Sequence, residues 1–193
     1  MRKAVRRESP KKGRRLPLPQ KAGGPIGTKK GGKGYKRGLP GTGESEALPD
    51  DFVYVKPDYE IIDHTADLGI RVTGENLEKL FENAGLALLD LLTDVALVKP
   101  QSELSFSLAA EDLEALFVQW LRELLYLFYG RKRLFCAFEI TKLKDTFLAV
   151  TCRGERYDPR RHVLLSEIKA ITYHELAITR VDSGWMAQAI FDV

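Results

Sequence analysis

Residues 75–94 read ENLEKLFENAGLALLDLLTD, and residues 110–130 read AEDLEALFVQWLRELLYLFYG. In the first stretch Leu77, Leu80, Phe81, Ala84, Leu88, Leu91 and Leu92 recur at helical spacing behind Asn76, an N-cap with no acid at N3. This predicts a helix from Leu77 to Leu92. Gly85 inside it costs about 1 kcal/mol relative to Ala and marks a close backbone approach. The second stretch predicts another helix, closed by Gly130. Its opening, DLEALF at 112–117, repeats NLEKLF at 76–81. Each opening follows an alternating strand, with Leu68, Ile70 and Val72 before the first and Leu104, Phe106 and Leu108 before the second. The 36-residue spacing is too short for two independent domains, so two related strand–helix units should share one core. Phe81, Phe117, Trp120 and Phe128 are expected inside it.

The flanking sequence is rich in strand patterns. Asp58 to Ile62 reads as a short strand running into DHTAD. LFCAFEITKLKDTFLAVTCRGERY, residues 134–157, reads as a hairpin turning at Lys144–Asp145, with Cys136 and Cys152 near each other on its two arms as buried or half-buried thiols. Tyr157 to Ser166 is expected as a loop. Ala170 to Arg180 and Trp185 to Val193 read as two final strands joined at Asp182–Ser183–Gly184. Two amphipathic helices beside a mostly antiparallel sheet give an α+β fold with internally duplicated strand–helix units, because the regular βαβ spacing of a doubly wound sheet is absent.

Charge divides the 193 residues sharply. Residues 1–40 carry fourteen of the thirty Lys and Arg and a single acid, Glu8, a local net charge of +13; residues 41–193 sum to −10. The expected organisation is a basic, Gly/Pro-rich N-terminal arm over 1–56 and one folded domain over 57–193. The arm's few apolar residues follow no period and cannot offset the entropy of ordering, so it is expected to be disordered. Contact with nucleic acid or an acidic surface, and service as a solubilising tail, both stand open for it. No apolar run follows its charges as in a signal peptide, and no stretch of eighteen apolar residues would span a membrane. Two cysteines outside any CxxC pair fit a reducing compartment and argue against structural zinc. The expected location is the cytoplasm.

Familiar catalytic signatures are missing: no GxxxxGK[ST], GxSxG, HExxH or Rossmann fingerprint occurs. GGKGYKRG at 31–38 has no preceding strand to hold it as a phosphate loop. Polar groups concentrate instead at Asp63-His64-Thr65-Ala66-Asp67-Leu68-Gly69 and at the sequence end, Ile190-Phe191-Asp192-Val193. Carboxylates gathered there with backbone oxygens would suit a hard cation such as calcium or magnesium, whereas separate turn acids would be merely solvated. His64 and His174 fit structural hydrogen-bonding roles better than catalytic ones, His162 in DPRRHVLL is expected on the surface, and Lys169 reads as a strand lysine able to face an anion.

Two segments carry a resemblance. IIDHTADLGIRVTGENLEKLFENAGLALLDLLTD, residues 61–94, resembles the opening of the archease family, and SEIKAITYHELAITRVDSGWMAQAIFDV, residues 166–193, resembles its closing signature. The basic arm lies outside the family pattern. The resemblance implies a two-helix α+β fold and an accessory, non-enzymatic role. The partner it implies is the GTP-dependent tRNA-splicing RNA ligase, which joins a 3′-phosphate or 2′,3′-cyclic phosphate end to a 5′-hydroxyl. The accessory protein would promote guanylylation of that ligase and its turnover. The resemblance further implies a calcium ion held by Asp67, Asp192 and Val193; from the residues themselves, magnesium or manganese would also suit such oxygens, and Asp63, His64, Lys169 and His174 are candidate supporting or partner-contacting residues. A second expectation is an RNA-binding or chaperone-like module that holds tRNA through its basic arm. A stand-alone metal-dependent hydrolase lacks an identifiable nucleophile or base.

Overall fold

The computed structural model describes residues 54, 56–57, 59–63 and 67–193, and of Asp63 the backbone alone. The arm proposed over 1–56 falls almost wholly outside the described residues, as does His64. The described residues form an α+β domain in the order β1 (Tyr59–Asp63), β2 (Leu68–Gly74), α1 (Leu77–Leu92), a 3-10 turn (Val95–Leu97), β3 (Ser102–Ala109), α2 (Leu113–Arg131), β4 (Arg133–Lys144), β5 (Phe147–Arg156), β6 (Ala170–Ile171), β7 (Ala177–Val181) and β8 (Gly184–Asp192). Among these residues all strand pairing is antiparallel.

The expected single sheet is two. β1, β2, β8 and β6 lie side by side in one, with β7 also paired to β8, and β3, β5 and β4 form the other. Helix α1 packs on β2 and β8 of the first sheet and on β4 of the second; α2 touches β6 of the first and β3 and β4 of the second. Each helix therefore serves both sheets, which explains why buried residues run well beyond a single stripe of α1. One apolar core results, and Phe81, Phe117, Trp120 and Phe128 are all buried in it. The indole N–H of Trp120 donates to the Phe81 carbonyl at 2.8 Å, satisfying a buried donor across the two helices.

The duplicated openings are the same capping device used twice. Asn76 Oδ1 accepts from the Lys79 N–H at 2.8 Å and Asp112 Oδ1 from the Ala115 N–H at 2.7 Å, each on an extended cap residue. Gly85 fills its expected role, because a Cβ there would lie 2.8 Å from both Phe138 Cε2 and Trp120 Cζ2.

Two local expectations are corrected, and a third, burial of the two cysteines, holds. Gly130 does not close α2: the helix runs to Arg131, and Lys132 adopts the left-handed conformation with φ 53°, its N–H satisfying the carbonyls of Leu127 and Phe128. The stretch 170–180 is not one strand but β6 and β7, separated by a turn in which Glu175 has φ 51°. Cys136 and Cys152 are both buried, but Cys152 faces Phe138, while Cys136 sits at a bulge and directs its thiol to the Arg153 carbonyl at 3.6 Å. Burial pushes the Cys136 thiol up to about 12 and the Cys152 thiol well above its ordinary value, so neither is a nucleophile at neutral pH.

Candidate functional site

The first sheet brings the two polar segments of the sequence to one edge. In the β2–β8 pairing the outermost partners are Leu68 and Phe191, so the next residues outward along the two strands are Asp67 and Asp192. β1 enters the same corner, with Asp63 opposite Leu68, and β6 closes the other side, with Ala170 opposite Asp192. Alternation then assigns faces. Ile70, Val72, Ala187, Ala189 and Phe191 point into the core, so Asp67 and Asp192 belong to the opposite, outer face. Gly69 is also on that outer face, and its missing side chain matters: a Cβ would meet Ile190 Cδ1 at 2.8 Å and Ile62 Cβ at 3.1 Å. Ile190 thus lies across the strand next to the two acids and is fully buried.

Lys169 and Val193 join the edge. The Lys169 backbone N–H donates to the Asp192 carbonyl at 2.8 Å, and its ammonium donates to the Val193 main-chain oxygen at 2.9 Å. These two bonds hold the last two residues against β6. The Thr172 N–H adds a bond to the Ile190 carbonyl at 3.0 Å. Asp67 is half-buried, while Asp192 and Val193 are exposed. Four of the residues singled out from the sequence, Asp67, Lys169, Asp192 and Val193, therefore share one edge. The Asp63 backbone adjoins it. His174 sits in the exposed β6–β7 turn, its N–H donating to Thr172 Oγ1 at 3.3 Å and its Nε2 lying 3.7 Å from Glu175 Oε1.

Arg71 was not singled out by sequence reasoning. It shares the outer face with Asp67, and its guanidinium donates to Glu60 at 3.4 Å and Gln188 at 3.2 Å, across β1, β2 and β8. Its alternation with buried Ile70 and Val72 was the available signal.

The donors at the edge are carboxylate and main-chain oxygens, the set a hard divalent cation takes, and so they fit calcium, magnesium or manganese by chemistry. Among the described residues no group of three or more His, Cys, Asp or Glu is gathered. The edge thus offers two carboxylates and a main-chain oxygen, fewer than the six to eight oxygens calcium prefers.

His162 corrects the expectation of a surface residue, being 1% exposed. It belongs to a second polar assembly. Glu155, itself buried, accepts both Arg161 guanidinium nitrogens, at 2.8 and 2.9 Å, and the Lys99 N–H at 2.7 Å. The Asp158 N–H donates to His162 Nδ1 at 3.0 Å, which leaves the ring proton on Nε2, 3.3 Å from Glu155 Oε1. Burial pulls the Glu155 carboxyl up, but the Arg161 and Lys99 hydrogen bonds outweigh it and hold the group below its ordinary value. Nothing in DPRRHVLL announced this, because the partner acid lies on β5.

Known proteins resemble this chain in sequence and in fold. The model of the archease protein family matches residues 59–193. The protein archease of Methanosarcina mazei is 37% identical over 139 residues, 70% of this chain and 95% of that protein. That of Pyrococcus furiosus is 40% identical over 139 residues, 70% of this chain and 98% of its own length. The solution structure of Methanobacterium thermoautotrophicum protein 1598 is similar with a TM-score of 0.60 and 33% identity, covering 70% of this chain and 98% of that one.

Proposed function

The chain belongs to the archease family, and from that premise we propose that it is a non-catalytic accessory protein that activates the GTP-dependent tRNA-splicing RNA ligase by promoting ligase guanylylation and turnover. The observation that carries the reading is the β2–β8 register, which leaves Asp67 and Asp192 as the next residues on neighbouring strands beyond the last pair, Leu68 and Phe191. Asp67, Asp192 and the Val193 oxygen are the residues that would hold a divalent cation. When bound, such a cation would supply positive charge against phosphate oxygens in the partner's nucleotide site.

The chain's own contribution is placement. Paired strands fix the two carboxylates on one outer face, and Lys169 pins the end of the sequence so that its oxygens stay at the edge. An incomplete ligand set on an exposed edge suits a protein that shares its cation with a partner better than one that keeps it. The net charge of −10 over residues 41–193 is expected to make the domain alone an unfavourable RNA ligand, since a polyphosphate backbone rewards positive charge.

The test is substitution of Asp67 or Asp192 by Ala. Removing an exposed or half-exposed acid ordinarily changes stability by about 0.5 kcal/mol or less, so melting should be close to wild type. Stimulation of ligase guanylylation, measured over multiple turnovers, should fall severely. Variants that melt normally and still stimulate at the wild-type rate would overturn the proposed role.

A further inference from the structure

Three consecutive aliphatic residues, Val163, Leu164 and Leu165, are 68%, 48% and 62% exposed, and Leu97 beside them is 52% exposed. A run of this kind on a folded surface costs solubility and is expected only where something covers it. It is also not a slack loop. The Leu165 N–H donates to the Leu92 carbonyl at 2.9 Å and the Thr93 hydroxyl to the Val163 carbonyl at 2.9 Å, while Thr93 and Leu164 form a β-bridge. These bonds fix the run to the C-terminal end of α1. Its other flank is fixed by the buried clamp of Glu155, Arg161 and His162, and Arg161 also donates to the Leu97 carbonyl at 3.1 Å. Two separate devices thus hold an aliphatic ridge in one pose before any partner arrives.

The ridge is joined to the carboxylate edge by the chain itself: Ser166 to Ile168 lead from Leu165 to Lys169, whose N–H and ammonium hold Asp192 and Val193. Its surroundings are charged differently from the rest of the acidic domain. Lys99 and Arg160 are exposed close to Leu97 and the ridge in the chain, and Arg131, Lys132 and Arg156 flank Tyr157, whose ring lies 5.9 Å from that of His162; the exposed acids are Asp94, Glu167 and, on the carboxylate edge, Asp192. Asp158 pairs with Arg160, at 3.2 Å, and Glu155 is consumed by Arg161.

We infer that Val163, Leu164 and Leu165 form a preorganised docking ridge for the protein partner of the proposed function, which would present an apolar groove with an acidic rim. This rests on the activator reading and adds where the partner is gripped. Aliphatic side chains offer no flat face on which bases stack, so RNA is not the occupant the ridge suits. The basic residues around it would match an acidic rim and speed encounter, while the ridge supplies the apolar contact that slows release. Docking here would bring the adjoining Asp67–Asp192 edge to the partner in a fixed orientation.

The division of labour gives the test. The purified ligase from the same cell is titrated with wild type, with the double variant Val163→Asp/Leu165→Asp, and with Asp67→Ala, reading binding by calorimetry and guanylylation rate against concentration. The ridge variant should raise the dissociation constant and the half-maximal concentration at least about tenfold while reaching the wild-type plateau. Asp67→Ala should bind within about twofold of wild type and lower the plateau. A ridge variant that melts like wild type and binds equally well overturns the inference and leaves the activator reading standing. A wild-type protein that neither binds nor stimulates overturns both. Should the double variant misfold, the milder Leu165→Ser must show the same rightward shift, and failure to do so counts against the ridge. Binding of wild type, lost in the ridge variant, to vesicles of phosphatidylcholine with a quarter phosphatidylserine, without any effect of the variant on ligase binding, would reassign the ridge to membrane and overturn the proposal.

Discussion

At the scale of single residues, position in the pleat separates groups that composition cannot. Asp67 and Asp192 lie on the outer face because their neighbours Leu68 and Phe191 face inward, whereas Glu155 is drawn into the interior and survives there only by its hydrogen bonds. The clamp has a pH signature. The folded Glu155 carboxyl titrates below its ordinary value of 4.5, so its stabilising contribution is complete above that pH and disappears as pH falls through the lowered folded value. Glu155→Gln should therefore lower the melting temperature at pH 7 and flatten its decline in acid, read by thermal melts from pH 7 to pH 3. Equal slopes in the two proteins would show that other carboxylates govern acid unfolding. Arg161→Ala leaves the same acid buried with one strong partner fewer and should destabilise by about 1–3 kcal/mol in urea titrations.

Helices and strands tell which local preferences decide. The cap residues Asn76 and Asp112 make equivalent bonds, so replacing either by Ala should cost about 1 kcal/mol, and comparable losses in denaturant midpoint would show that the duplicated openings do the same work. Gly85 sets propensity against packing. Ala there gains about 1 kcal/mol of helix preference. Its methyl would press on Phe138 and Trp120 at 2.8 Å, and overpacking a core costs typically 1–3 kcal/mol. Gly85→Ala should thus be neutral to destabilising by about 2 kcal/mol, and a clear gain in stability would mean that the two rings yield freely.

Across the whole molecule, the start of β1 and the described chain just ahead of it are both fastened to α1. Lys56 pairs with Asp90 at 3.2 Å and the Tyr59 hydroxyl donates to the same carboxylate at 2.8 Å. A protein lacking residues 1–50 keeps both contacts and should melt close to the full chain. It also separates two ways of working, because the first fifty residues hold the +13 stretch. If the folded domain is the activator, ligase stimulation by the truncated protein should remain near full-chain levels. If substrate is held by the arm, stimulation should collapse, and the lost portion should have been steeply salt-sensitive in the full chain.

Periodicity along the chain determined much of this protein. The bounds of α1, the capping of both helices, the aromatic core and the α+β class follow from spacings within a few turns or a single strand, where local geometry and burial agree. The resemblance of residues 61–94 and 166–193 to one family was equally legible, since it is carried by residue identities in order. Pairing across distance was not. That the strands divide into two sheets, that 170–180 breaks at a left-handed Glu175, and that Asp67 falls next to Asp192 depend on which strand lies beside which, and hydrogen bonds between remote segments leave no local period to read. The same reason hid His162: a histidine amid arginines reads as solvated until β5 brings Glu155 beneath it, and only that long-range pairing makes burial affordable and raises Val163, Leu164 and Leu165 into solvent.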